Sequence, residues 1–110
     1  MPVLPANKIQ RQPFFLIIIN MTFSFKLFIA GSNPKSSLAL QNLNELCEQY
    51  LPNQYVLEVI DLLLHPELAE KHGILAIPTL VKTDPEPMKR LIGILSDKMK
   101  ILSALNIAAA

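Results

Sequence analysis

Ile74 to Lys82 reads ILAIPTLVK, an apolar, β-branched run with Pro78 inside it. Its composition predicts a strand. A proline removes one donor from a strand ladder, so it needs a reason to be there. The segments on either side provide one.

Upstream, Phe23 to Ala30 (FSFKLFIA) sets Phe23, Phe25, Leu27 and Ile29 against Ser24, Lys26 and Phe28, which predicts a first strand. Gly31-Ser32-Asn33-Pro34 ends it. Asn33 is a good N-cap, and Pro34 suits the first helical position, where the missing N–H costs nothing. A helix should run to about Leu51, with Leu40, Leu43, Cys47 and Tyr50 or Leu51 on one face. Tyr55 to Leu62 (YVLEVIDL) predicts a second strand, and His65 to Gly73 a short helical turn. Downstream, Asp84 to Pro87 is a turn and Met88 to Ile94 a fourth strand. Ser96-Asp97 caps a closing helix with Met99, Leu102 and Leu105 on one side.

Strand–helix–strand implies a parallel pair with a crossover, and the close strand pair that follows implies a hairpin. A βαβ unit followed by ββα in one mixed sheet is the plan of a thioredoxin-like α/β domain. In that fold a cis-proline stands where this chain has Pro78, beside the loop that carries redox chemistry. The Ile77–Pro78 bond is therefore predicted to be cis.

The 110 residues predict one domain, long enough to bury a core of its own. A hydrophobic fraction of 51% with a net charge of +1 excludes general disorder and argues against a nucleic-acid binder. Residues 1–20 differ: three prolines, two basic residues, no acid and the run FFLIII from Phe14 to Ile19. The run is short for a signal peptide and Lys26 interrupts the longer apolar stretch. Residues 1–20 are expected to be an extension, residues 21–110 the domain, and the protein cytoplasmic with no membrane contact.

A redox enzyme of this fold places a cysteine at the start of the first helix, whose N-terminus stabilises a thiolate. The loop Gly31–Ser37 has none, and the single cysteine, Cys47, falls well inside the helix on its apolar face, where it reads as a small buried hydrophobe. His65 and His72 flank Glu67 and Glu70, but a solvated helical turn is the better reading than a metal site. Glu45, Glu48, Lys98 and Lys100 read as solvated faces. Ser36, Ser37 and Ser103 lack a base, and no glycine-rich phosphate loop is present. The expectation is a fold kept for binding: no enzyme, no cofactor, no metal.

Phe25–Gly31, Asn33-Pro34, Val59-Ile60-Asp61, Pro66–Glu70, Ile74–Ala76, Pro78-Thr79-Leu80, Ile92-Gly93 and Leu95-Ser96-Asp97 occur in one collinear order. Together they resemble the KaiB family from about residue 24 to 107. The resemblance implies a non-enzymatic clock component that binds the hexameric ATPase KaiC, with KaiA as a third partner. It also implies two folds: a self-associated KaiB ground-state fold and a thioredoxin-like monomer that binds KaiC, so a monomer, dimer or tetramer depending on the state. Partner contacts would fall on Tyr55, Val56 and Glu58 of the second strand and on Lys89 and Arg90. Gly31, Asn33, Pro34, Pro78 and Ala104 would be structural.

Departures from the family suggest a divergent KaiB-like paralogue. Clock-type KaiB proteins usually carry a basic residue where this chain has Leu38, Glu58 and Gly73, and Glu58 reverses the sign. Ala104-Leu105-Asn106 stands where the family pattern is Gly-Leu-Asp. Alanine favours a helix interior over glycine by ~1 kcal/mol, so Ala104 should bias the chain towards the thioredoxin-like state, in which this segment is helical. Such a paralogue would tune a KaiC-type ATPase in the clock or act in a related stress pathway. The alternatives are an interaction domain with an unrelated partner, or the sensor module of a clock-output histidine kinase. The second ranks lower, because 110 residues leave no room for a kinase.

Overall fold

The computed structural model describes residues 22–108; the expected extension at residues 1–20 lies outside the described residues. The elements are β1 (Phe23–Ile29), α1 (Pro34–Tyr50), β2 (Tyr55–Asp61), α2 (Glu67–Lys71), β3 (Thr79–Asp84), β4 (Lys89–Ile92) and α3 (Lys98–Ala104). The four strands form one mixed sheet in the order β2-β1-β3-β4. β1 and β2 are parallel, with Leu27 opposite Val59. β1 and β3 are antiparallel, as are β3 and β4.

The alternation in β1 sends Phe23, Phe25 and Leu27 to the helical side of the sheet. There they join Leu43, Leu46 and Cys47 of α1, Leu80 of β3, and Ile101, Leu102 and Leu105 at the C-terminal end. Phe28 points the other way, into a smaller cluster with Ile60, Leu62, Ile74 and Val81, which Leu68 and Ala69 of α2 partly cover. β1 is therefore central, and buried on both faces at its C-terminal end.

Asn33 begins α1. Its Oδ1 accepts from the Lys35 N–H at 2.8 Å and the Ser36 N–H at 3.3 Å, and Pro34 occupies the first turn. Such a cap contributes about 1 kcal/mol. Ser36 is buried, and its Oγ accepts from the Ala30 N–H. The residue after Ala30, Gly31, has φ +57 and donates its N–H to Asp61 Oδ1 at 2.9 Å. The same oxygen accepts from the Leu63 N–H at 2.9 Å, so one carboxylate ties the β1–α1 loop to the β2–α2 loop.

Two expectations need correction. Pro78 is not inside a strand: residues 74–78 are irregular and β3 begins at Thr79. The ladder thus starts after the residue that cannot donate. The Ile77–Pro78 bond is cis, as are Asp84–Pro85 and Glu86–Pro87. In α3 the buried residues are Ile101 and Leu102, continued by Leu105, while Met99 is 64% exposed. At 3.6 residues per turn Met99 lies ~160° around the helix from Ile101, away from the sheet. Asp97 caps this helix, its Oδ1 accepting from the Lys100 N–H.

One residue has no sequence signal of its role. Lys82, on β3, has no exposed surface and sits on the helical face of the sheet. Its ammonium donates to the Leu105 carbonyl at 3.1 Å and lies 5.7 Å from the centroid of the Phe23 ring.

Candidate partner-binding site

Pro78 and the Gly31–Ser37 loop occupy the places where a dithiol enzyme of this fold works. No sulfur is nearby in sequence, and Cys47 is fully buried in α1. Burial, helped by the Glu48 carboxylate, pushes its thiol up from 9.0 to about 12, so it stays protonated and inert at neutral pH. His72 lies against the Phe28 ring, with centroids 5.2 Å apart, and His65 Nδ1 is 3.9 Å from Glu67 Oε2. Among the described residues no three metal-ligating side chains converge. Nor is any helix among them long and apolar enough to cross a membrane.

The five residues expected to meet a partner lie on two opposite edges of the sheet. β2 is one edge strand and β4 the other. Two strands separate them, so they stand ~14 Å apart. Val56 is 58% exposed on β2. Glu58, also exposed, is paired in register with Lys26, and their charged atoms are 3.8 Å apart. Lys26 is opposite Val81, and Val81 is opposite Arg90. Glu58, Lys26, Val81 and Arg90 therefore form one row across the same face of the sheet, since directly paired residues share a face.

Tyr55 belongs to the other face. It packs against the main core, and its hydroxyl donates to Glu48 Oε2. That hydrogen bond, with smaller contributions from burial and charge, pushes the phenol up from 10.0 to about 12. Lys89 is opposite Lys82, also on the helical side. The structure thus groups Val56, Glu58 and Arg90 on one face and leaves Tyr55 and Lys89 on the other, at opposite edges.

Arg90 has a task within the chain. Its Nη2 donates to the His72 carbonyl at 2.6 Å and its Nη1 to the Gly73 carbonyl at 3.1 Å. These are carbonyls at the end of α2, where a helix presents partial negative charge. Gly73 itself has φ +64, which suits the glycine that closes the turn. Ala104, expected to be structural, is the last residue of α3.

An apolar surface beside Pro78 escaped the sequence reading. Leu63 (69% exposed), Leu64 (72%) and Leu75 (98%) stand out from the loops there. With Ala30, Pro66 and Ile77, Leu63 and Leu75 line a shallow cleft. The signal was the run Leu62-Leu63-Leu64: it follows the end of β2, where only Leu62 can turn into the core.

Fold and site together define a thioredoxin-like domain without the redox dithiol, carrying exposed edge strands instead. Residues 26–107 match the KaiB domain. The chain belongs to the KaiB family, and it is a clock-related KaiB-like protein. It is 45% identical over 89 residues to the circadian clock oscillator protein KaiB of Cyanothece sp., covering 81% of this chain and 85% of that one. Identity to the KaiB of Thermosynechococcus vestitus is 44% over 89 residues, covering 81% and 82%. Among solved structures, the N-terminal domain of Synechococcus elongatus SasA superposes with a TM-score of 0.63 at 26% identity, covering 82% of this chain and 89% of that one. Chloroplastic thioredoxin z superposes with a TM-score of 0.62 at 20% identity, covering 86% and 87%, a likeness of fold alone.

Proposed function

We propose that this protein is a non-enzymatic regulator that docks onto a KaiC-type ATPase, with a KaiA-type protein as a further partner, and so modulates the circadian clock or a related stress response. It acts in the cytoplasm through residues 21–110, with residues 1–20 an extension outside the domain. The observation that carries this reading is the pairing of β2 as a free edge strand beside β1 with a helical C-terminal segment. That is the arrangement expected of the partner-binding state, and β2 offers Tyr55, Val56 and Glu58 along that edge. Lys89 and, where the α2 tie leaves it accessible, Arg90 serve a contact at the β4 edge. In the alternative ground-state fold the protein self-associates, and Ala104 disfavours that state.

Pull-down of KaiC-type ATPases from the same cell, with and without ATP, tests the reading. Retention of one of them supports it. Consistent absence under both conditions overturns it in favour of an interaction domain with an unrelated partner. The likeness to the SasA domain favours a second reading, a KaiB-like sensor module of a clock-output histidine kinase. Co-purification with such a kinase, and not with an ATPase, would select it.

A further inference from the structure

α3 is a short helix of seven residues, too short to be stable in water without tertiary support. Part of that support is apolar: Ile101, Leu102, Leu105 and Ile107 enter the core. The polar part comprises the Asp97 cap, an exposed hydrogen bond from Lys98 Nζ to Gln49 Oε1 of α1 at 3.0 Å, and one buried contact. Lys82 reaches from β3 beneath the helix and donates to the carbonyl of Leu105, the C-cap of α3, at 3.1 Å. A cation at a helix C-terminus satisfies an orphan carbonyl and complements the helix dipole.

The next strand holds a second lysine in register. Lys89 of β4 is directly opposite Lys82. Side chains directly opposite in an antiparallel pair project from the same face, and like charges there repel. Lys89 is exposed and Lys82 is not. From β1, Lys82 meets Phe25 in register and the Phe23 ring; from α3 it meets a carbonyl. Among the described residues no carboxylate pairs with it, since the ion pairs join Lys26 to Glu58 and His65 to Glu67.

We infer that Lys82 is a buried latch holding α3 against the sheet, and that the charge state around Lys89 sets its strength, so that an acidic group of a partner seated on Lys89 tightens the docking of the C-terminal helix. The role of Lys89 as a partner contact is taken from the function proposed above; the latch and its sensitivity to charge belong to the chain alone. Burial lowers the pKa of Lys82 and Lys89 lowers it further, in keeping with this coupling. An acid at Lys89 offsets the repulsion and favours the charged ammonium that grips Leu105. The direction is thus fixed: an anion on β4 makes α3 more helical and better protected.

Amide hydrogen exchange on the isolated chain tests the latch with no partner present, so its failure is separate from failure of ATPase binding. Lys82→Met keeps the volume and removes the charge. It should speed exchange in α3 by about tenfold or more relative to β1, the loss expected for one charge-assisted hydrogen bond. Lys89→Glu, the stand-in for an acidic partner, should slow exchange in α3, and should have no effect there once Lys82→Met is present. Unchanged α3 exchange in Lys82→Met overturns the latch. An equal effect of Lys89→Glu with and without Lys82 overturns the coupling. Should Lys82→Met fail to fold, NMR titration of the Lys82 ammonium decides: its midpoint should rise in Lys89→Glu, and an unmoved midpoint rejects the inference.

Discussion

Asp61 holds Gly31 by a 2.9 Å hydrogen bond to its N–H, at a point where the chain turns with φ +57. A Cβ added to Gly31 would come within 2.7 Å of Leu63 Cδ1. The glycine is required for its left-handed backbone; the nearby Leu63 tip adds a contact that the side chain can relieve. Gly31→Ala should cost about 1–2 kcal/mol, mostly from the backbone, since the tip of Leu63 can turn aside. Urea unfolding would measure it; an unchanged midpoint would show that the loop accommodates alanine freely.

Arg90 should matter to stability before any partner arrives. Arg90→Ala removes both hydrogen bonds to the His72 and Gly73 carbonyls. A loss of about 1 kcal/mol is expected, with faster amide exchange confined to α2. Arg90→Lys should recover only part of it, because a single ammonium cannot bridge both carbonyls with the geometry of a guanidinium fork. Full recovery by lysine would mean that charge alone is at work.

Cys47 gives a pH dependence of definite sign. Its folded pKa is raised from 9.0 to about 12, chiefly by burial. The stabilisation is fully present below pH 9 and is lost as pH rises from there through 12, because the unfolded chain releases the thiol proton first. The total is of the order of a few kcal/mol. Lys82, with its pKa lowered by burial and then by Lys89, acts in the opposite sense in alkali, so the two slopes partly oppose. Cys47→Ala should flatten the alkaline decline. A thiol reagent at pH 8 should label Cys47 only as fast as the chain unfolds; rapid labelling of the native protein would contradict the burial.

Glu58→Lys restores the basic character that the family usually has at this position. Its partner, Lys26, is 3.8 Å away in an exposed pair, so the stability change should be within about 1 kcal/mol. Retention of a KaiC-type ATPase in the pull-down should rise. A fall would point to a partner whose surface is selected for the reversed charge.

Ala104→Gly should weaken the end of α3 by less than the ~1 kcal/mol of a helix interior, since Ala104 is its last residue. Circular dichroism should report lower helix content, and sedimentation a larger self-associated fraction. If both stay unchanged, Ala104 has no part in choosing the state.

The succession of strands and helices and the N-caps at Asn33 and Asp97 were legible because each rests on local chemistry: alternation in FSFKLFI, a capping side chain, a proline at a first turn; the order β2-β1-β3-β4 needed the structure. The errors arose where tertiary placement decides. Met99, Leu102 and Leu105 are spaced at threes, which drift around a helix, and only contact with the sheet selects Ile101 instead. The start of β3 moved to Thr79 because the apolar run continues through chain that pairs with nothing in the ladder. Lys82 was invisible for a different reason: a lysine at a strand end normally reaches water, and its burial depends on a helix more than a dozen residues later. Of the site, contacts on β2 came only as what the family resemblance implies; the division of Tyr55 from Val56 and Glu58, and the use of Arg90 by α2, need the register.

Because β2 and β4 are the outer strands on opposite sides, the molecule has two margins rather than one patch. Neighbours gripping by Val56 and by Lys89 would not compete for the same ground. Lesions along one flank should therefore leave recruitment along the other intact.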